Sequence, residues 1–218
     1  MRRMLCAVLF VLACAAVCTA GEQVRLFKEF NAGMRYQEVA AQSGVAPESN
    51  PDAPEIRLAR KDVEFAGGKW LQLFAFRDDY LTEVVLVADY HPDLYASVLE
   101  TLGAGFSLLR IGSESGSYDS FSMLKTNPLE EVMAFIDNFE KESIRSGYLE
   151  VGYLDTDSFE AVIPEYDIER PFSQLAQLLP VNCRLSSLTV LTRRDIEEPY
   201  LRIMFSAPAY TAKLLQKD

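Results

Sequence analysis

Histidine is almost missing from this chain: His91 stands alone in 218 residues, and that scarcity removes more chemistry than any other feature. A serine or cysteine triad passes its proton through a general base that is most often imidazole, so His91 would have to serve alone. It precedes Pro92 at the start of a helical pattern, where capping is the simpler role. Cysteine is nearly as thin. Cys6, Cys14 and Cys18 crowd the first 20 residues and only Cys183 lies beyond them, which excludes a disulfide framework and reads as one buried thiol. One histidine and one cysteine, 92 positions apart, make no zinc site. Glycine loops for phosphate are absent too, since Ala66-Gly67-Gly68, although Lys69 follows it, leads into an extended run and not a helix, and Gly103-Ala104-Gly105 has no following lysine. Basic residues are outnumbered, 21 against 32 acidic, and a net charge of -11 repels nucleic acid and anionic lipid. No cofactor and no metal is expected.

Long apolar runs are missing everywhere except near the N-terminus. There Arg2 and Arg3 precede the uncharged stretch MLCAVLFVLACAAV, which ends in small residues before Gly21, Glu22 and Gln23. This is the layout of a secretory signal over residues 1–20, too short for a membrane span of about 20 apolar residues. Two processing routes stand open. Cleavage after Ala20 leaves about 198 residues, and the loss of Arg2 and Arg3 takes the net charge to -13. Alternatively Val11, Leu12, Ala13 and Cys14 resemble a lipoprotein box, with Cys14 as the lipid anchor. The expected location is periplasmic or secreted, or tethered to the outer membrane.

What is present is a sequence of short, clear elements. A helix is expected over 34–43, ended by Gly44, and a proline-rich loop follows. Three extended runs at 56–65, 69–77 and 81–88 are divided by Ala66-Gly67-Gly68 and Asp78-Asp79, an antiparallel meander. A helix opens at Pro92 and stops at Gly103, and a strand returns over 106–111. The glycine- and serine-rich IGSESGSYDS reads as a boundary loop, giving halves at 21–112 and 118–218. The second half reads as a strand at 119–125 and a long helix from Pro128 to Arg145 capped by Asn127 and Glu130. After them come a strand at 148–154, an acidic irregular stretch from Asp155 to Glu169, a helix at 171–179, strands at 184–192 and 199–206, and a closing helix. Clustered strands and helices argue for an α+β fold, antiparallel sheet with helices packed on one face. Segments 34–103 and 171–216 share a helix–strands–helix order, two halves of similar shape.

Gly33, Met34, Glu38, Val39, Gly44 and Pro47 together resemble the G-M-x-x-x-(E/Q)-V-x-x-x-x-G-x-P motif of a family of small bacterial envelope modules. That family includes the small lipoprotein of the outer-membrane barrel assembly machinery and, as tandem copies, the secreted β-lactamase inhibitor protein. The proline comes one residue late, and Ser43 stands where the family has an apolar residue. The strand, turn and strand of FAFRDDYLTEVVL are similar as well, so the likeness covers about residues 30–90. It implies a helical pair packed on antiparallel sheet, with the other sheet face or its loops binding a partner protein, and it implies no catalytic residue.

Two further features bear on function. Acidic residues cluster at Asp78-Asp79, at Asp155, Asp157 and Glu160, and at Asp195, Glu197 and Glu198; a glycosidase would need two of them across one cleft. The 69–77 strand places Trp70, Gln72, Phe74 and Phe76 on one face and Leu71, Leu73 and Ala75 on the other. If the aliphatic face is inside, the aromatic one is an open strip and the candidate partner face; if the second half covers it, it is core. The reading that results is a non-enzymatic envelope binding module with an unknown protein partner. A carboxylate-based periplasmic hydrolase and a binder of small apolar ligands are the alternatives. Export predicts that mass spectrometry of the protein from its host finds a chain beginning at Gly21, or at a lipidated Cys14; a chain that keeps Met1 contradicts it.

Overall fold

The computed structural model describes residues 23–45, 54–162, 178–193 and 197–216. Residues 1–22 with Cys14, Pro47, most of the 171–179 helix and Asp195 lie outside the described residues. Among the latter, the elements run β1 (Arg25–Phe27), β2 (Phe30–Asn31), α1 (Tyr36–Ser43), β3 (Ile56–Phe65), β4 (Gly68–Arg77), β5 (Tyr80–Asp89), α2 (Pro92–Gly103), β6 (Phe106–Ser113) and β7 (Gly116–Asp119). They continue through α3 (Ser120–Thr126), α4 (Leu129–Ser146), β8 (Tyr148–Asp155), α5 (Thr156–Val162), β9 (Leu185–Leu191), β10 (Tyr200–Ser206) and α6 (Pro208–Leu215). This is an α+β fold. None of these helices is long and apolar enough to cross a membrane.

The local chemistry explains the meander. Ala66 and Gly67 at φ 47° and 75°, then Asp78 and Asp79 at φ 48° and 68°, make two-residue turns whose left-handed angles match the twist of antiparallel strands. Eight strands form one antiparallel sheet in the order β3-β4-β5-β10-β9-β8-β6-β7. β5 pairs with β10 at its middle, Leu86 opposite Ile203. The order is palindromic about that pair: α1-β3-β4-β5-α2 on one side answers α4-β8-β9-β10-α6 on the other, with α5 inserted after β8. The expected likeness of 34–103 to 171–216 rests on a 171–179 helix that lies mostly outside the described residues. The strands of the two halves interlock in a single sheet, because β6 of the first half pairs with β8 of the second.

Four local expectations change. IGSESGSYDS is the β6–β7 hairpin, with Ile111 opposite Tyr118, and no boundary. Residues 120–126 form a helix, because the Asp119 carboxylate accepts the Ser122 N–H at 2.8 Å as an N-cap. Thr156–Val162 is helical for the same reason: Asp155 accepts the N–H of Ser158 at 3.1 Å and that of Arg184 at 2.7 Å. Asn127 does not cap α4; its side-chain amide donates back to Met123 O at 3.2 Å, closing α3.

The main core lies on one sheet face under α1, α2, α4 and the β1–β2 ribbon, which contribute Val39, Tyr95, Val98, Leu102, Phe27 and Phe30, with Ile136, Phe139 and Ile144 of α4 against them. A smaller cluster sits on the far face at one end, where Phe121 of α3 and Phe159 and Val162 of α5 meet Leu109, Leu154 and Cys183. The opening stretch is built as its residues dictate. Gly33 turns at φ 80° with Leu214 and Tyr210 where a Cβ would go, Glu38 accepts the Arg35 N–H at 2.9 Å, Val39 is buried, and Gly44 ends the helix at φ 69°.

Under α4 a carboxyl is drawn into this core. Burial raises the proton affinity of Glu140 above its ordinary value, and Asp137 adds to the shift while Tyr95 and Lys141 oppose it. The buried Tyr95 hydroxyl forms no hydrogen bond of good geometry, yet it and Tyr153 are both pushed up, first by burial and then by Glu140. The folded state thus holds the Glu140 proton more tightly than the unfolded chain does, so stability falls as pH rises from the unfolded value through the folded one. Glu140→Gln is expected to melt higher than the wild type at pH 7, with the gap closing near pH 4. Thermal melts across that range check it, and a gap that is equal at both ends contradicts it.

Candidate partner-binding face

Side chains alternate along β4, and the alternation decides which surface is free. Trp70, Gln72, Phe74 and Phe76 face the helices and are 1%, 1%, 0% and 5% exposed. The aromatic strip proposed as a partner face is thus covered, and the four residues are core, not surface. The reason is supply. β1 and β2 bring Phe27 and Phe30 over the sheet, with the Phe30 ring 4.7 Å from that of Phe74, and Tyr36 of α1 stands 5.3 Å from Phe76. Trp70 also satisfies its indole N–H, donating to Phe65 O at 2.8 Å. Gln72 is the exception, since neither amide atom has a partner.

Leu71 and Leu73 therefore point away from the helices, and pairing extends their rows across the sheet. One row runs Leu73, Val85, Met204, Ser187, Gly152, Arg110 from β4 to β6. The next runs Leu71, Val87, Arg202, Thr189, Glu150, Gly112. Leu71, Leu73, Val85, Val87 and Met204 belong to neither core cluster, although strands β4, β5 and β10 lie at the middle of the fold. Leu71, Leu73, Val87 and Met204 keep part of their surface free. Toward β6 the face becomes small and polar.

Between Met204 and Arg110 the row dips, because Ser187 and Gly152 supply almost no side chain. A groove of about 170 Å³ lies there, with Glu150 and Leu185 also on its walls. Arg110 and Arg202 are exposed, and Arg202 donates to the Thr189 hydroxyl at 3.3 Å. The Glu150 carboxylate accepts from the Tyr148 hydroxyl at 3.1 Å. In the neighbouring row, Glu83 has its proton affinity raised, first by burial and then by Glu55, against the pull of Arg77 and Arg202.

The other candidate residues scatter. Asp79 pairs with Arg57 at 3.0 Å while Asp78 and Asp79 make a turn, and Asp155 is spent as an N-cap. Glu197 and Glu198 are exposed. His91 caps α2, its Nδ1 accepting the Asp93 N–H at 3.3 Å. Cys183 is buried, and burial, then Asp155, pushes its thiol up to about 11, so it is a poor nucleophile. No group of three or more His, Cys, Asp or Glu that could hold a metal occurs among the described residues.

No protein-family model matches the chain, and no curated protein and no solved structure is significantly similar to it.

The inversion of the β4 faces has a direct energetic signature. Trp70→Ala or Phe74→Ala removes a fully buried aromatic ring and is expected to cost about 3–5 kcal/mol. Leu73→Ala or Val87→Ala opens no cavity under the helices and is expected to cost less than about 1.5 kcal/mol. Urea unfolding midpoints at constant slope measure both, and equal losses for the two pairs contradict the assignment of faces.

Proposed function

We propose that this is an exported bacterial envelope protein that works by docking a partner protein on the open face of its sheet, without catalysing a reaction. The observation that carries the reading is the aliphatic strip of Leu71, Leu73, Val85, Val87 and Met204 at the centre of the sheet, outside both core clusters. An antiparallel sheet can leave one face to water, and then that face alternates to polar residues. Here its middle does not. Contiguous apolar surface rimmed by charge is the usual mark of a protein contact, and desolvating it supplies about 25 cal/mol per Å². The rim is present: Arg202 and Glu150 stand on the row of Leu71 and Val87, Arg110 on the row of Leu73 and Met204, and Glu83 in the row beside it.

Two further lines support it. The N-terminal signal layout, with the buried Cys183 thiol free, fits an envelope protein stabilised by its core. The likeness of residues 30–90 to the envelope modules carries the same expectation of a partner on the free sheet face. The docking proposal stands without that likeness, because the strip follows from pairing register alone.

A photoreactive residue placed at Leu73 or Val87 in the native host is expected to cross-link one specific protein. The same residue at Glu100, exposed on α2, is expected to cross-link none. Equal capture at all three positions, or none at Leu73 and Val87, contradicts the proposal.

A further inference from the structure

Away from the aliphatic strip, at the rim of the sheet on its helix side, one cleft is lined by two arginines and no carboxylate. We propose that this cleft, between the start of β1 and the chain that leads into β9, binds a single phosphate group held by the guanidinium groups of Arg25 and Arg184. Its lining is Gln23, Val24, Arg25, Asn182 and Arg184, and its volume is about 270 Å³. Val24 belongs to the main core and Phe106 packs against that core, so the two walls stand on a fixed base.

The donors are held in place by their neighbours. Arg184 directly precedes β9, and its backbone is pinned on both sides: its N–H donates to the Asp155 carboxylate at 2.7 Å, and its carbonyl accepts the Asp155 N–H at 3.0 Å. The Arg184 guanidinium carbon lies 5.1 Å from the centre of the Phe106 ring. A guanidinium resting on an aromatic face keeps its N–H donors free at the edge. Arg25 opens β1 opposite Asn31, whose side-chain amide donates to Gln23 Oε1 at 3.0 Å. With that oxygen engaged, the Gln23 Nε2 is left as a further donor.

The charge balance is local to this cleft. Among the described residues neither Arg25 nor Arg184 forms an ion pair with a carboxylate, although acidic residues outnumber basic ones 32 to 21 along the chain. Asp155 and the exposed Asp157 line the adjoining cleft, which shares Asn182 and Arg184, and both Asp155 oxygens already accept backbone N–H groups, of Ser158 and Arg184. That border sets the size of the ligand. One phosphate group fits on the arginine side, whereas a polyphosphate would run onto Asp157 and be repelled. A phosphate also offers oxygens to two guanidinium forks at once, while the two oxygens of a carboxylate are used up by one. The site lies apart from the docking strip, so either can fail without the other.

Backbone amide NMR signals of a chain beginning at Gly21 are followed as inorganic phosphate, glycerol 3-phosphate or acetate replaces chloride at low, constant ionic strength and about pH 7.5, where a phosphate monoester is close to a dianion. Both phosphate probes are expected to shift the Arg25 and Arg184 amides saturably, with half-saturation at about 1 mM. Acetate is expected to bind at least tenfold more weakly. Tighter binding of glycerol 3-phosphate than of inorganic phosphate assigns the site to a phosphate monoester, and the reverse order to the free anion. Arg25→Gln and Arg184→Gln are each expected to weaken phosphate binding at least tenfold; should the second not fold, the exposed Arg25 decides. Acetate binding as tightly as phosphate, shifts that stay linear with concentration, or an affinity unchanged by Arg25→Gln overturns the proposal.

Discussion

One residue of register decides what this protein can do. Strand side chains alternate with a period of two, and the central pairing of Leu86 with Ile203 locks β4, β5, β10, β9, β8 and β6 into common rows. A one-residue slip of β4 would carry Trp70 and Phe74 to the open face, and one of β10 would carry Ile203 there and drive Arg202 under the helices, as slips of β8 and β6 would do to Glu150 and Arg110. Burying those charges unpaired costs several kcal/mol each, so the register is enforced from both sides of the sheet. The free surface is a consequence of the core. Once the bulky aromatics of β4 meet the phenylalanines of β1 and β2, the aliphatic residues between them have only the other face to occupy.

The same pairing explains how the described residues, with one histidine and one free buried thiol, hold together with no disulfide among them. Its two helix–strands–helix units meet through their last strands, and β6 and β7 extend the sheet beyond β8. A single sheet gives one core that runs beneath both units. α3 and α5 close the far face at one end only, each started by an aspartate that turns its carboxylate onto backbone N–H groups. Asp119 and Asp155 thus serve architecture, as do His91 at α2 and Asp79 beside Arg57. Of the titratable groups that looked like chemistry in the sequence, His91 and Asp155 are spent on caps and Asp78 and Asp79 on a turn.

How much of this was legible follows the same physics. The meander was readable because Gly67, Asp78 and Asp79 are residues that tolerate left-handed angles, and α2 because proline opens it and Leu102 and Val98 repeat at helical spacing. Gly33, Val39 and Gly44 could be assigned roles from backbone freedom and pattern alone. Strand 119–125 failed because Phe121 and Leu124 fit either period, and the Asp119 cap that decides the matter carries no signal beyond one aspartate. The hairpin at 111–119 hid in a glycine- and serine-rich stretch that reads as loop. For the candidate site, alternation correctly separated the two faces of β4 but gave no direction. What tips the balance is Phe27 and Phe30, 40 or more residues upstream, folding over the aromatic face. The cross-strand rows that build the groove were illegible altogether, since Gly152 and Ser187 meet Met204 only through pairings between distant segments.

Thiol accessibility tests the central claim most directly. From Gly21 onward the sequence has Cys183 as its one cysteine, and that residue is fully buried, so a chain beginning at Gly21 is expected to be silent toward a water-soluble maleimide while folded. Cysteines introduced singly at Leu71, Leu73 and Val87 are predicted to label in the folded state, whereas cysteines at Gln72 and Phe74 label only after unfolding. Rapid native labelling at 72 and 74 with protection at 71 and 73 would reverse the sheet and contradict the account.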